Sequence, residues 1–322
     1  AKRNLTHSNP VLKNLPENLY EIDLLLNLYS GKYLAEVPKW INIIYLNKGE
    51  MITTNRLQDV PEKGFRVIYQ KFLKKFPDFL YQIKLKRKVY DIEFAAIHGM
   101  RDEILDSTLL SSKKIIWIHN DLSQIKSYTP QEIRKFFGFD VILVISDKIK
   151  DLFLHYAKDD FERAKIKKIS NPLDTEMIVR QSEKPLAKEV FKENKPSFIS
   201  VGTVFPQKGF DRLAHAHKKL LDEGLLHQII IIGDGYDFQN QKKLVHELGV
   251  EDTFLMPGFC DNPYPYFRRA DFFVLSSRYE GFPTVLSEAI VLKKNIIATE
   301  VSGAGELLQN GELGLMVENS ES

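Results

Sequence analysis

Short apolar runs, bounded by polar or glycine-containing turns, alternate along this chain with stretches whose apolar positions recur at helical spacing. That alternation predicts parallel sheets covered by helices on both faces, an α/β protein. In the first half, strands are expected at 20–28, 40–46, 90–97, 113–119, 141–145 and 165–170. The second half repeats strand and helix more cleanly. Its strands are expected at 197–201, 228–232, 253–256, 271–275, 296–298 and 314–317, with helices over about 210–223 and 238–248, after Pro263, and from Pro283 onward. Residues 175–196, rich in Lys and Glu and containing Pro185, read as a linker with a helical piece. Two domains are therefore expected, 1–174 and 197–322, with a cleft between them. In open sheets of this kind ligands bind outside the carboxyl ends of the strands.

One such end carries Ser276-Ser277-Arg278-Tyr279-Glu280-Gly281-Phe282-Pro283-Thr284. Pro283 stands where a first helical residue is expected. Val285, Leu286, Ala289 and Ile290 then recur at helical spacing, with Glu288 at the flank of the stripe. The first amides of a helix lack internal partners and carry the positive end of its dipole, so this turn can hold a phosphate flanked by Glu280 and Glu288. The plainer reading is two solvated carboxylates at a helix start.

Three further loops invite the same scrutiny. After the strand at 197–201 comes Gly202-Thr203-Val204-Phe205-Pro206-Gln207-Lys208-Gly209, in which Lys208 is the candidate cation and Gly209 allows close backbone approach. Gly233-Asp234-Gly235 follows the next strand, but Phe238 interrupts a Gly-x-Gly-x-x-Gly pattern, which argues against an NAD-type fold. His119 ends a strand of the first half.

Glu280-Gly281-Phe282-Pro283-Thr284, followed after three residues by Glu288, closely resembles the signature of the retaining nucleotide-sugar glycosyltransferases of the GT-B fold. Gly202, Lys208, Gly209 and Asp211 are similar to the same family's Gly-Arg-x-x-x-x-Lys-Gly-x-Asp pattern, with Thr203 in place of Arg. The resemblance is strong over 197–317, moderate over 90–175, and architectural only in the first 60 residues, where the family's opening strand and glycine loop are missing. It implies two Rossmann-like domains facing a central cleft, the N-terminal one for the acceptor and the C-terminal one for the donor. It further implies transfer of a hexose-type sugar from a UDP- or GDP-sugar, with retention, to a glycan, glycolipid or glycoprotein.

On this resemblance Glu280, Lys208 and His119 are the catalytic candidates, Glu280 and His119 facing the sugar. Glu288 holds the ribose, Gly233 and Gly235 border the nucleotide, and Gly258, Phe259 and Cys260 border the base. Gly281, Phe282, Pro283 and Thr284 belong to the donor turn, and the Gly303-Ala304-Gly305-Glu306 turn presents amides near the diphosphate. Thr203 brings no charge, so it either weakens phosphate stabilisation or leaves it to another cation such as Arg278. The alternatives are a non-catalytic GT-B partner or sugar-nucleotide binding protein, and, more remotely, an epimerase or phosphorylase.

Composition changes this picture little. With 322 residues, a net charge of +2 and 27% charged residues, no global field argues for nucleic acid. Cys260 alone cannot form an internal disulfide. No Asp-x-Asp clamp and no Cys/His cluster occur, so a metal-free reaction without cofactors is expected. No apolar run approaches a spanning length, and a cytoplasmic protein is expected, with both ends of the sequence looking cut. Residues 65–88 interleave lysines with aromatic residues; they fit either a core helix with a solvated face or a helix resting on an anionic membrane at its inner face.

Overall fold

The structure is a computed structural model in which residues 11–29, 32–48, 88–109 and 113–320 are described, with isolated positions between 64 and 85. The basic, aromatic stretch 65–88 falls outside them apart from those positions. The chain forms two compact units. One comprises Ala1–His119, Thr129–Val144 and Phe153–Pro172; the other comprises Asn120–Tyr128, Ile145–Leu152 and Leu173–Ser322.

The first unit contains a parallel pair, β1 (Asp23–Tyr29) and β2 (Asn42–Lys48). A four-stranded parallel sheet follows, formed in chain order by β3 (Ile92–Ala95), β4 (Lys113–Ile118), β5 (Val141–Val144) and β6 (Ile166–Lys168). Helices α1 (Arg101–Leu105), α2 (Pro130–Lys135), α3 (Asp147–Tyr156) and α4 (Asp160–Lys165) alternate with these strands along the chain, with α3 up to Leu152 grouped with the second unit. Local chemistry sets the helix starts: Thr129 caps α2 before Pro130, and Asp159 accepts from the Glu162 amide at 2.8 Å to cap α4.

The second unit begins with α5 (Thr175–Ser182). The stretch 175–196 is therefore not a free linker: α5 packs on later helices of the unit, and the Lys188 amide donates to the Tyr266 hydroxyl at 3.0 Å. Strand and helix then alternate as β7 (Ser197–Val201), α6 (Phe210–Asp222), β8 (Gln228–Ile232), α7 (Phe238–Glu247) and β9 (Phe254–Gly258). The unit continues with α8 (Tyr264–Arg269), β10 (Phe272–Leu275), α9 (Thr284–Val291), β11 (Asn295–Thr299), α10 (Ala304–Leu307) and β12 (Leu315–Val317).

All six strands are parallel, in the order β12-β11-β10-β7-β8-β9. This is a doubly wound sheet whose direction of build reverses between β7 and β10. Every residue of β8 is buried because both of its edges are paired and both of its faces are covered. Its alternation divides the core: Ile230 and Ile232 pack with Phe267, Phe273 and Leu286, while Ile229 and Ile231 pack with Phe210, Val245 and Phe254.

Two local expectations are corrected. Pro257 and Gly258 belong to β9 rather than to the loop after it, which the position of β9 at the sheet edge permits. Pro283 is the N-cap of α9 rather than its first helical residue, with ψ at 88° before the helix begins at Thr284.

Candidate active site

The switch point brings together the loops that follow β7 and β10. Gly209 lies between a short turn at Pro206–Lys208 and α6, with φ of 63°, and a Cβ there would stand 2.1 Å from the Ser276 carbonyl oxygen. Only glycine lets the two loops approach so closely. Lys208 is buried, with 7% of its surface exposed, and its ammonium pairs with Glu280 Oε1. The same oxygen accepts a hydrogen bond from Ser277 Oγ at 2.7 Å. Two residues that lie far apart in the chain thus form one charged centre at the carboxyl end of the sheet.

The rest of the loop is held almost residue by residue. Ser276 Oγ donates to the Lys208 carbonyl at 2.8 Å, and the Arg278 amide donates to the Gln207 carbonyl at 2.8 Å. Gln207 Nε2 donates to the Tyr279 carbonyl at 2.7 Å. From α6, the Arg212 guanidinium reaches the carbonyls of Ser276 at 2.8 Å and Ser277 at 2.9 Å, and also Asn319 Oδ1 at 2.8 Å. Asn319 Nδ2 in turn donates to the Arg278 carbonyl at 2.6 Å.

Arg278, weighed above as a substitute cation for Thr203, is engaged elsewhere. Its guanidinium makes a bidentate pair with Asp211 at 2.8 and 2.9 Å and donates to the Pro206 carbonyl at 2.7 Å. Burial raises the Asp211 carboxyl pKa, but the hydrogen bonds and charge of Arg278 outweigh it and hold the group below its ordinary value. Arg278 therefore fastens the two loops to each other.

The Gly202–Val204 and Gly233–Gly235 turns pack main chain to main chain. The Val204 amide donates to the Asp234 carbonyl at 3.1 Å, and a Cβ on Gly233 would fall 1.8 Å from the Gly202 oxygen. The Gly233 amide donates to the Gly258 carbonyl at 3.0 Å, so a third strand end joins the floor. Phe259 projects from that end and is exposed. Phe205 and Tyr236, which the sequence did not single out, stack at 4.5 Å between ring centroids.

Gly281, Phe282, Pro283 and Thr284 lead into α9, whose Leu286 and Ala289 are buried as their spacing predicts. Glu288, on the same helix, accepts from the Tyr264 hydroxyl at 3.1 Å. The two glutamates thus have separate surroundings, one paired with an ammonium and the other facing a phenol. Gly303 precedes α10, where Gly305 and Glu306 lie. Among the sequence candidates only His119 lies in the first unit, just after β4, with its ring 4.6 Å from that of Trp117. Ser277 and Arg212 escaped the sequence reading as functional candidates because their roles depend on partners brought by folding. Among the described residues, no group of three or more His, Cys, Asp or Glu is placed to hold a metal ion, and no helix is long and apolar enough to cross a membrane.

Residues 181–322 match the family described as glycosyl transferases group 1, which agrees with the signature around Glu280. An uncharacterized glycosyltransferase of Methanocaldococcus jannaschii is 26% identical over 211 residues, covering 62% of this chain and 51% of that protein. The Campylobacter jejuni N-acetylgalactosamine-N,N'-diacetylbacillosaminyl-diphospho-undecaprenol 4-alpha-N-acetylgalactosaminyltransferase is 32% identical over 150 residues, covering 46% of this chain and 39% of that one. The chain thus matches about half or less of the length of these relatives. Anabaena HepE, solved in complex with UDP and glucose, superposes with a TM-score of 0.66 over 98% of this chain and 81% of its own, at 15% identity. The fold is the α/β GT-B fold, built from two Rossmann-like units.

Proposed function

We propose that this protein is a retaining glycosyltransferase that moves a hexose-type sugar from a nucleotide diphosphate sugar to a glycan, glycolipid or glycoprotein acceptor. The observation that carries the reading is the Lys208–Glu280 pair at the switch point, where glycines let the loops after the strands pack backbone to backbone and bring the two residues together. Breaking the sugar–phosphate bond leaves negative charge on the departing diphosphate. A fixed ammonium together with the amino end of α9 suits that charge without a metal. Thr203 adds a hydroxyl but no cation, so the charge falls chiefly to Lys208. Glu280 accepts hydrogen bonds from the sugar, Glu288 from the ribose, and His119 serves the sugar from the N-terminal domain. The leaving phosphate receives the acceptor proton.

UDP is favoured as the donor nucleotide by the UDP and glucose bound to HepE, with GDP the other choice. A lipid-linked glycan acceptor is favoured by the diphospho-undecaprenol substrate in the name of the Campylobacter relative. Such an acceptor calls for work at the inner face of a membrane, with residues 65–88 as the contact. The test is a panel of UDP- and GDP-sugars scored by nucleotide release and by calorimetry, with and without a chelator. Binding of one nucleotide family and chelator-insensitive turnover are expected. Failure of every donor to bind would overturn the reading.

A further inference from the structure

Ser277 is not explained by the family signature, yet it is 1% exposed and its hydroxyl points at the central carboxylate. We propose that Ser277 is a positioning residue that holds Glu280 in its sugar-facing orientation once a donor has drawn Lys208 away. This rests on the reading of Glu280 as the carboxylate that meets the sugar.

The geometry supports it in three steps. Ser277 Oγ and Lys208 Nζ both meet Glu280 Oε1, and among the described residues Oε2 has no hydrogen-bond partner. The carboxylate is therefore oriented with one oxygen held and the other available to accept from a ligand hydroxyl. Second, the Ser277 main chain is anchored independently of Glu280. Its carbonyl is held by Thr299 Oγ1 at 2.7 Å and by Arg212 at 2.9 Å, from two different elements of the unit. Third, Lys208 has a competing task. A diphosphate carries more charge than a carboxylate and offers several acceptor oxygens, so a bound donor pulls the ammonium toward itself. The serine hydroxyl, buried and uncharged, has no reason to leave. In the donor-loaded state it remains as the protein donor to Oε1, and one hydrogen bond to a charged acceptor is enough to bias the orientation of the carboxylate.

The test is calorimetry with UDP and UDP-glucose, and with GDP and GDP-mannose, on the full chain. The proteins are wild type, Ser277→Ala, Ser277→Thr, Glu280→Gln and the double variant Ser277→Ala/Glu280→Gln. For the nucleotide that binds, Ser277→Ala should leave bare nucleotide affinity within about twofold and cut the extra affinity for the sugar nucleotide by about fivefold to tenfold. The double variant should lose no more than Glu280→Gln alone, because the serine acts only through that carboxylate. Ser277→Thr, which keeps the hydroxyl, should restore most of the loss. Equal losses on nucleotide and sugar nucleotide, additivity with Glu280→Gln, or no loss at all would overturn the role of Ser277. If Ser277→Ala does not fold, Ser277→Cys keeps the size, weakens the donor and is judged by the same outcomes. Absence of any sugar advantage in the wild-type protein for both pairs would instead overturn the reading of Glu280 on which the proposal stands.

Discussion

At the amino end of the second unit's sheet, His217, His227 and Thr253 close on one another; at the carboxyl end, Lys208, Ser277 and Glu280 converge but leave an oxygen to spare. His227 Nδ1 lies 2.7 Å from the Leu225 carbonyl, which can only accept, so that nitrogen carries the proton. His227 Nε2 then accepts from His217 Nδ1 at 2.8 Å, and His217 Nε2 accepts from the Thr253 hydroxyl at 2.9 Å. Every ring nitrogen is satisfied within the protein. Glu280, by contrast, spends both of its contacts on one oxygen. Buried polar groups are costly unless paired, so the histidine cluster completes itself as a structural part, whereas Glu280 keeps an oxygen able to accept from a ligand.

Breaking each cluster should show that difference. The largest effect is expected for Lys208→Ala, which under the proposed function removes the cation that meets the charge developing on the leaving diphosphate. Turnover should fall by about a hundredfold or more, equivalent to about 3 kcal/mol of barrier. Thermal melting should shift by only a few degrees, because Glu280 keeps the hydrogen bond from Ser277 when the ammonium is removed. Wild-type turnover in this variant would return Lys208 to a merely structural role.

The histidine cluster should respond in stability instead, and to pH. Burial lowers the His217 pKa from 6.5 to about 4, helped by the neighbouring His227. The unfolded chain therefore takes up a proton near pH 6.5 that the folded protein refuses until about pH 4. Stability from this site is fully present above pH 6.5 and is lost as the pH falls toward 4, by on the order of 2 kcal/mol. Urea midpoints at pH 7.5 and 4.5 measure it, and His217→Gln should narrow the gap between them. An unchanged gap would mean that other groups carry the acid sensitivity.

The smallest effects separate the two glutamates. Under the proposed function, Glu288→Gln should weaken bare nucleotide binding by several fold, about 1 kcal/mol, since it weakens acceptance toward the ribose. Glu280→Gln should leave bare nucleotide binding nearly intact and reduce transfer, because the sugar it is proposed to serve is absent from the nucleotide. Calorimetry beside donor kinetics checks both, and equal losses of nucleotide affinity would erase the distinction.

Much of this architecture was legible along the chain, because strand and helix periodicities are local properties. β7 at Ser197–Val201 and β8 at Gln228–Ile232 coincide with their expected apolar runs. The family likeness was legible too, since Glu280 and Glu288 lie within one turn and helix. Pro257 was misplaced because proline argues against a strand until the strand is known to be an edge. The 175–196 stretch looked like a linker because its packing partners, on α8 and α9, come much later in the sequence.

By itself, then, the sequence determined the alternating α/β pattern, the glycine turns, and which lysine and glutamates carry the signature, since short-range spacing suffices for each. Tertiary structure alone decided what those residues do to one another. It placed β10 beside β7, and with that placement brought Lys208 onto Glu280, bound Arg278 to Asp211 rather than leaving it for a phosphate, and aimed Ser277 at the carboxylate. Strand order is a long-range choice, made by which faces bury together, and no local spacing records it.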